Sequence, residues 1–100
     1  MATTTNVNER IESGLHAILA ETRDLPDLLA AWDALPDWNQ ASVKIDWDHL
    51  MIDYLTELDE FACAGQMTPE QQTRYAEVRG ALHDALPIIE RLGLERPPVA

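Results

Sequence analysis

Gly65-Gln66-Met67-Thr68-Pro69-Glu70-Gln71 decides the fold. Glycine is the residue that most readily takes the left-handed conformation ending a helix. Three residues later, threonine is an N-cap, proline occupies a first-turn position where its missing N–H costs nothing, and glutamine can close a capping box. A helix therefore stops at Gly65 and another starts at Thr68. So short a connection makes the two helices antiparallel neighbours.

Working outward, the helix before the turn is predicted over residues 38–64. Val43, Trp47, Leu50, Met51, Tyr54, Leu58, Phe61 and Ala62 share one broad face at ~100° per residue. Asp37 with Gln40 resembles a capping box at its start. A narrower apolar line, Ile45, Ile52 and Cys63 with Trp38 at its head, runs on the opposite side. A helix with two apolar lines needs neighbours on two sides. The helix after the turn is predicted over residues 69–92, burying Tyr75, Val78, Leu82, Leu86 and Ile89. Pro87 should kink it or split off its last turn. Arg91-Leu92-Gly93-Leu94 reads as a glycine C-cap with Leu94 folding back.

Upstream, Asn6-Val7-Asn8-Glu9 reads as a capping box opening a first helix. Val7, Ile11, Leu15, Ile18, Thr22 and Leu25 form its buried stripe, with Gly14 at the edge inviting close approach of another helix. Asp24-Leu25-Pro26-Asp27 reads as the start of a separate short helix. Leu28, Leu29, Trp32 and Leu35 are its apolar side, and Leu35-Pro36 ends it. No stretch alternates with period two, so no strand is expected. The fold class is all-α: a small three- to four-helix bundle built on the long antiparallel hairpin, with the first helix closing the layer and the short one as a lid. Residues 1–100 form a single domain with extended tails at 1–5 and 95–100. At 100 residues and 46% hydrophobic content, the chain has enough apolar surface for a core without staples.

Charge supplies the functional reading. Asp24, Asp27, Asp33, Asp37, Asp46, Asp48, Asp53, Glu57, Asp59 and Glu60 face the single base Lys44 within one segment, which holds most of the net charge of −11. All three tryptophans, Trp32, Trp38 and Trp47, fall there too. Such a field repels nucleic acid and anionic membrane and attracts basic surfaces. The single cysteine excludes an internal disulfide and any multi-cysteine metal site. With no secretion signal and no apolar run of membrane-spanning length, the expected location is the cytoplasm.

Asp46, Asp53, Glu57 and Glu60, with His49 among them, share one side of the long helix. This stripe is either a solvated face or a docking surface for a basic protein, and Trp32 and Trp38 either pin the lid or serve that surface as hot spots. The functional expectation is a small acidic, non-catalytic interaction module, with an inhibitor or antitoxin-like antagonist of a nucleic-acid-binding protein as one form. The alternative is a self-associating helical module, a homodimer with Ile45, Ile52 and Cys63 as its seam. A weaker alternative is a metal site on Asp46-x-x-His49-x-x-x-Asp53, whose offsets match helical metal ligands but also an ordinary surface cluster. His16, four residues after Glu12, and His83, beside Asp84, read as surface or edge histidines, and Cys63 as a small buried apolar residue with no base at local spacing; no phosphate loop, dinucleotide glycine pattern or nucleophile elbow is present. No enzyme activity and no cofactor are expected.

Overall fold

The computed structural model describes residues 6–98, which contain helices and turns and no strand. In order they form α1 (Val7–Ala31), a 3₁₀ turn (Trp32–Ala34), α2 (Asp37–His49), a π-helical turn (Leu50–Leu55), α3 (Thr56–Cys63), α4 (Pro69–Asp84) and α5 (Leu86–Leu92). α2, the π turn and α3 run on from one another as one long helix. The chain is the small all-α bundle that its periodicity predicts.

The turn at residues 64–68 forms from the signals that announce it. Gly65 has φ 72°, and the N–H groups of Gly65 and Gln66 donate back to the Ala62 and Phe61 carbonyls, the double bond of a Schellman cap. Thr68 and Gln71 exchange both bonds of the capping box. Pro87 splits α5 from α4 at Ala85. Gly93, at φ 70°, closes α5 with a second Schellman cap, the Leu94 N–H reaching the Ile89 carbonyl at 3.0 Å.

Cross-chain contacts give the directions. Near the turn Tyr75 meets Asp59; at the far end Trp47 Nε1 donates to the Glu95 carbonyl at 2.8 Å. The long helix and α4–α5 are therefore antiparallel. α1 packs on α4, α5, α3 and the π turn. It runs parallel to α4, since Asn8 and Glu12 meet Gln71 and Glu12 also meets Arg74. It runs antiparallel to the long helix, its Arg10 pairing with Glu57. Ile11, Leu15, Ile18 and Leu25 of α1 meet Trp47, Met51, Leu55 and Leu58 and the α4–α5 set Tyr75, Val78, Leu82, Ile89 and Leu92 in one core. Leu94 and Pro97 are buried, so the non-helical segment after α5 lies on the bundle as far as Pro97. Of the tails expected at residues 1–5 and 95–100, residues 1–5 and 99–100 fall outside the described residues.

Three local expectations are corrected. The first is the break at residue 24. α1 runs unbroken through Pro26, because Leu25, Leu28, Leu29 and Trp32 continue the stripe in phase and their burial outweighs the roughly 3 kcal/mol that an interior proline costs. There is no separate lid helix, only the single 3₁₀ turn before Pro36. The second is the capping box at Asp37. Gln40 points the other way, its Nε2 donating to the Trp32 carbonyl at 2.8 Å and the Leu35 carbonyl at 3.3 Å. It thereby clasps the 3₁₀ turn, whose Trp32 carbonyl also accepts from the Leu35 N–H at 3.1 Å.

The third is the phase of the long helix. In an unbroken α-helix, Tyr54 would lie about 20° from the Trp47 line and Leu55 about 80° from it. The π turn closes i→i+5 bonds and so carries one extra residue. The Thr56 hydroxyl follows that spacing, donating to the Met51 carbonyl at 3.4 Å. The extra residue turns Leu55 fully into the core and leaves Tyr54 38% exposed.

Candidate functional site

The continuity of α1 through Pro26 puts Ala17, Glu21, Asp24 and Leu28 on one face at three- and four-residue steps. This face borders α2 across an open gap. Because Ala17 and Ala20 are small, the helices leave an open groove between them. One stretch, of about 480 Å³, is lined by Ala17, Ala20, Glu21, Ile45, Asp46, His49, Leu50 and Tyr54. It adjoins a second, of about 230 Å³, lined by Glu21, Asp24, Leu25, Leu28, Val43, Asp46 and Trp47. Glu21 and Asp46 border both stretches, and neither lining includes a lysine or arginine. The groove thus has an apolar floor and carboxylates on both banks.

The acidic stripe read from the sequence is divided by the fold. Asp46 stands on the groove. His49 and Asp53 pair with each other, Nδ1 to Oδ2 at 2.6 Å, and the His49 ring also leans on Tyr54, with centroids 5.3 Å apart. Glu57 was expected to face solvent. Instead it is partly buried and paired at the surface with Arg10 of α1, which reaches both its carboxylate oxygens. Glu60 is exposed further along the same helix. Among the described residues no three His, Cys, Asp or Glu side chains are placed to share a metal ion, so Asp46, His49 and Asp53 do not assemble into a ligand set.

The tryptophans have separate fates. Trp47 is core. Trp32 is partly buried at the end of α1, beside Leu29, Asp33, Arg91 and Leu92. Trp38 is 73% exposed on the first turn of α2, and Ile45 and Ile52 follow on the same helix at 68% and 61%. Cys63 is exposed at the end of α3. The second apolar line is therefore open to water along its whole length.

The remaining polar contacts brace the helices. Gln71 is buried, and its Nε2 donates to Asn8 Oδ1 at 2.7 Å and Glu12 Oε2 at 2.9 Å. Arg74 also holds Glu12. The hydrogen bonds from Arg74 and then Gln71 keep the Glu12 carboxyl below the usual carboxylate range. Tyr75 donates to Asp59 Oδ1 at 3.1 Å. Its burial, and then the Asp59 charge, push the phenol well above its ordinary value of 10.0.

The sequence reading missed Glu21, Asp24 and Tyr54 as groove residues. The spacing of Ala17, Ala20, Glu21, Asp24 and Leu28 was the available signal, hidden by the assumed break at Pro26. No helix among the described residues is long and apolar enough to cross a membrane. No protein-family model, curated protein or solved structure matches this chain at a significant level.

Proposed function

We propose that this chain is a non-catalytic interaction module that binds a basic protein through the acidic banks of the α1–α2 groove. The observation that carries this is convergence. Glu21 and Asp24 from α1 and Asp46 from α2 meet at one groove whose lining has no lysine or arginine. Opposed charge speeds encounter and selects partners. A partner whose basic surface otherwise holds nucleic acid would be masked by this contact, which is the action of an inhibitor or antitoxin-like antagonist. The non-catalytic part is supported by how the charged groups are used. Arg10–Glu57, Arg74–Glu12 and Tyr75–Asp59 each tie two helices together. The test is affinity capture from the source cells with the unaltered chain and with Glu21→Lys/Asp46→Lys, followed by measured association rates for each recovered protein. Basic proteins should be lost with the reversed chain; equal rates for both chains would sink the proposal.

A second reading, self-association, is favoured by the exposed Trp38, Ile45, Ile52 and Cys63. Light scattering tests it: a dimer that Ile52→Glu converts to a monomer would support it, and a monomer at high concentration would end it.

A further inference from the structure

We infer that the element the groove receives is an amphipathic cationic helix of the partner, laid between α1 and α2. This deepens the proposed function and rests on its acidic docking reading. The groove has three properties that pick out such a helix. The first is length. Its two stretches run from Val43 to Tyr54, roughly 16 Å at 1.5 Å per residue, or about three turns. The second is the division of chemistry across its width. Leu50, Tyr54, Ala17 and Ala20 form an apolar floor with Ile45 at the lip, while Glu21, Asp24 and Asp46 stand on the banks. A ligand must offer an apolar stripe flanked by positive charge, which a helix with anchors at i, i+3, i+4 and i+7 provides. The third is the setting. Among the described residues there is no strand whose edge an extended peptide could join, whereas an open channel between two helices can take the ridge of a third.

The π turn fits this role. It turns Tyr54 out of the core phase to the end of the groove, against His49, and π turns of this kind are frequent at functional sites. A second copy of this chain is a poor occupant. Asp46, Asp48 and Asp53 surround Ile45 and Ile52, and a partner of net charge −11 would bring the same carboxylates back against them.

The test uses the whole chain and two synthetic leucine–lysine peptides of roughly 14 residues, about four helical turns. One has its leucines at helical spacing; the other is a scramble of identical composition and charge. Binding is followed by fluorescence anisotropy at low salt. The amphipathic peptide should bind at least about tenfold more tightly than the scramble. Ile45→Ser, a change at an exposed position, should remove most of that preference. Glu21→Lys/Asp46→Lys should weaken both peptides. Equal binding of the two peptides overturns the inference while leaving the acidic docking reading standing. Failure of the charge reversal to affect either peptide overturns both. No binding of the amphipathic peptide overturns the inference, as does a free chain that proves to be a dimer dissociated by Ile45→Ser.

Discussion

Two glycines on helices show how close approach decides what one methyl group does. A Cβ at Gly14 would meet Leu58 at 3.2 Å, whereas one at Gly80 would meet nothing within 4 Å. Leu58 is 1% exposed, so it has no room to retreat without disturbing the core. Gly80→Ala should therefore raise stability by up to ~1 kcal/mol through helix propensity alone. At Gly14 the same gain is outweighed by overpacking of roughly 1–3 kcal/mol, so Gly14→Ala should lower the denaturation midpoint. Opposite signs in paired urea titrations check the assignment, and a stabilising Gly14→Ala refutes the close contact. Tyr75 gives a pH prediction. Its pKa is raised in the folded chain, so its contribution is complete below the ordinary value of 10.0 and is lost as pH climbs above it. Thermal stability should fall in the alkaline range, and Tyr75→Phe should flatten that fall while costing about 1–2 kcal/mol at neutral pH through the lost bond to Asp59. An unchanged alkaline slope in the variant would mean that another group is responsible. The sequence shows Gln71 as half of a capping box, but not its buried bonds to Asn8 and Glu12, because those depend on which helix lies beside it.

At the scale of elements, signals complete within a few residues were readable, and those that depend on a neighbour were not. Gly65 with Thr68 and Gln71 fixed one boundary, and Pro87 with Gly93 fixed the end of the chain's last helix, because caps and proline act within one turn. Pro26 misled because its local cost was weighed without the stripe that continues past it. The π turn was hidden for a related reason. Periodicity fits Tyr54 to the Trp47 face, and only the position of the surrounding core shows that Leu55 takes that place. This yields a direct test of phase. Leu55→Ala should cost about 2–5 kcal/mol, as for a fully buried leucine, and Tyr54→Ala much less. The reverse order in denaturant titrations would restore an unbroken α-helix and return Tyr54 to the core. The candidate groove was partly legible on the same grounds. Asp46 was identified, but its pairing with Glu21 and Asp24 across two helices was not, nor was the capture of Glu57 by Arg10.

For the whole molecule the controlling quantity is charge. The field of a net −11 on a chain of Cα radius of gyration 14.5 Å is expected to repel DNA, RNA and other copies of the chain and to favour encounter with basic surfaces. Tight binding to bare nucleic acid at physiological salt is therefore not expected. The same field separates the two functional readings without a change of sequence, because salt acts on them in opposite senses. Screening lengths run from about 30 Å at 0.01 M salt to about 3 Å at 1 M. A cationic helix in the groove is held partly by opposed charges, so its affinity should fall steeply over that range. A homodimer through Ile45, Ile52 and Cys63 must press Asp46, Asp48 and Asp53 toward their counterparts. Its association should strengthen with salt as repulsion is screened and apolar burial remains. Light scattering of the chain alone, and anisotropy of the amphipathic peptide with it, measured across the same salt series, give the two slopes. Peptide affinity that stays flat would show that the acidic banks contribute nothing to docking. A mass that doubles only at high salt would show that the exposed isoleucines self-associate once the carboxylates around them are screened, making that contact a product of ionic conditions and the acidic groove the surface available at low salt.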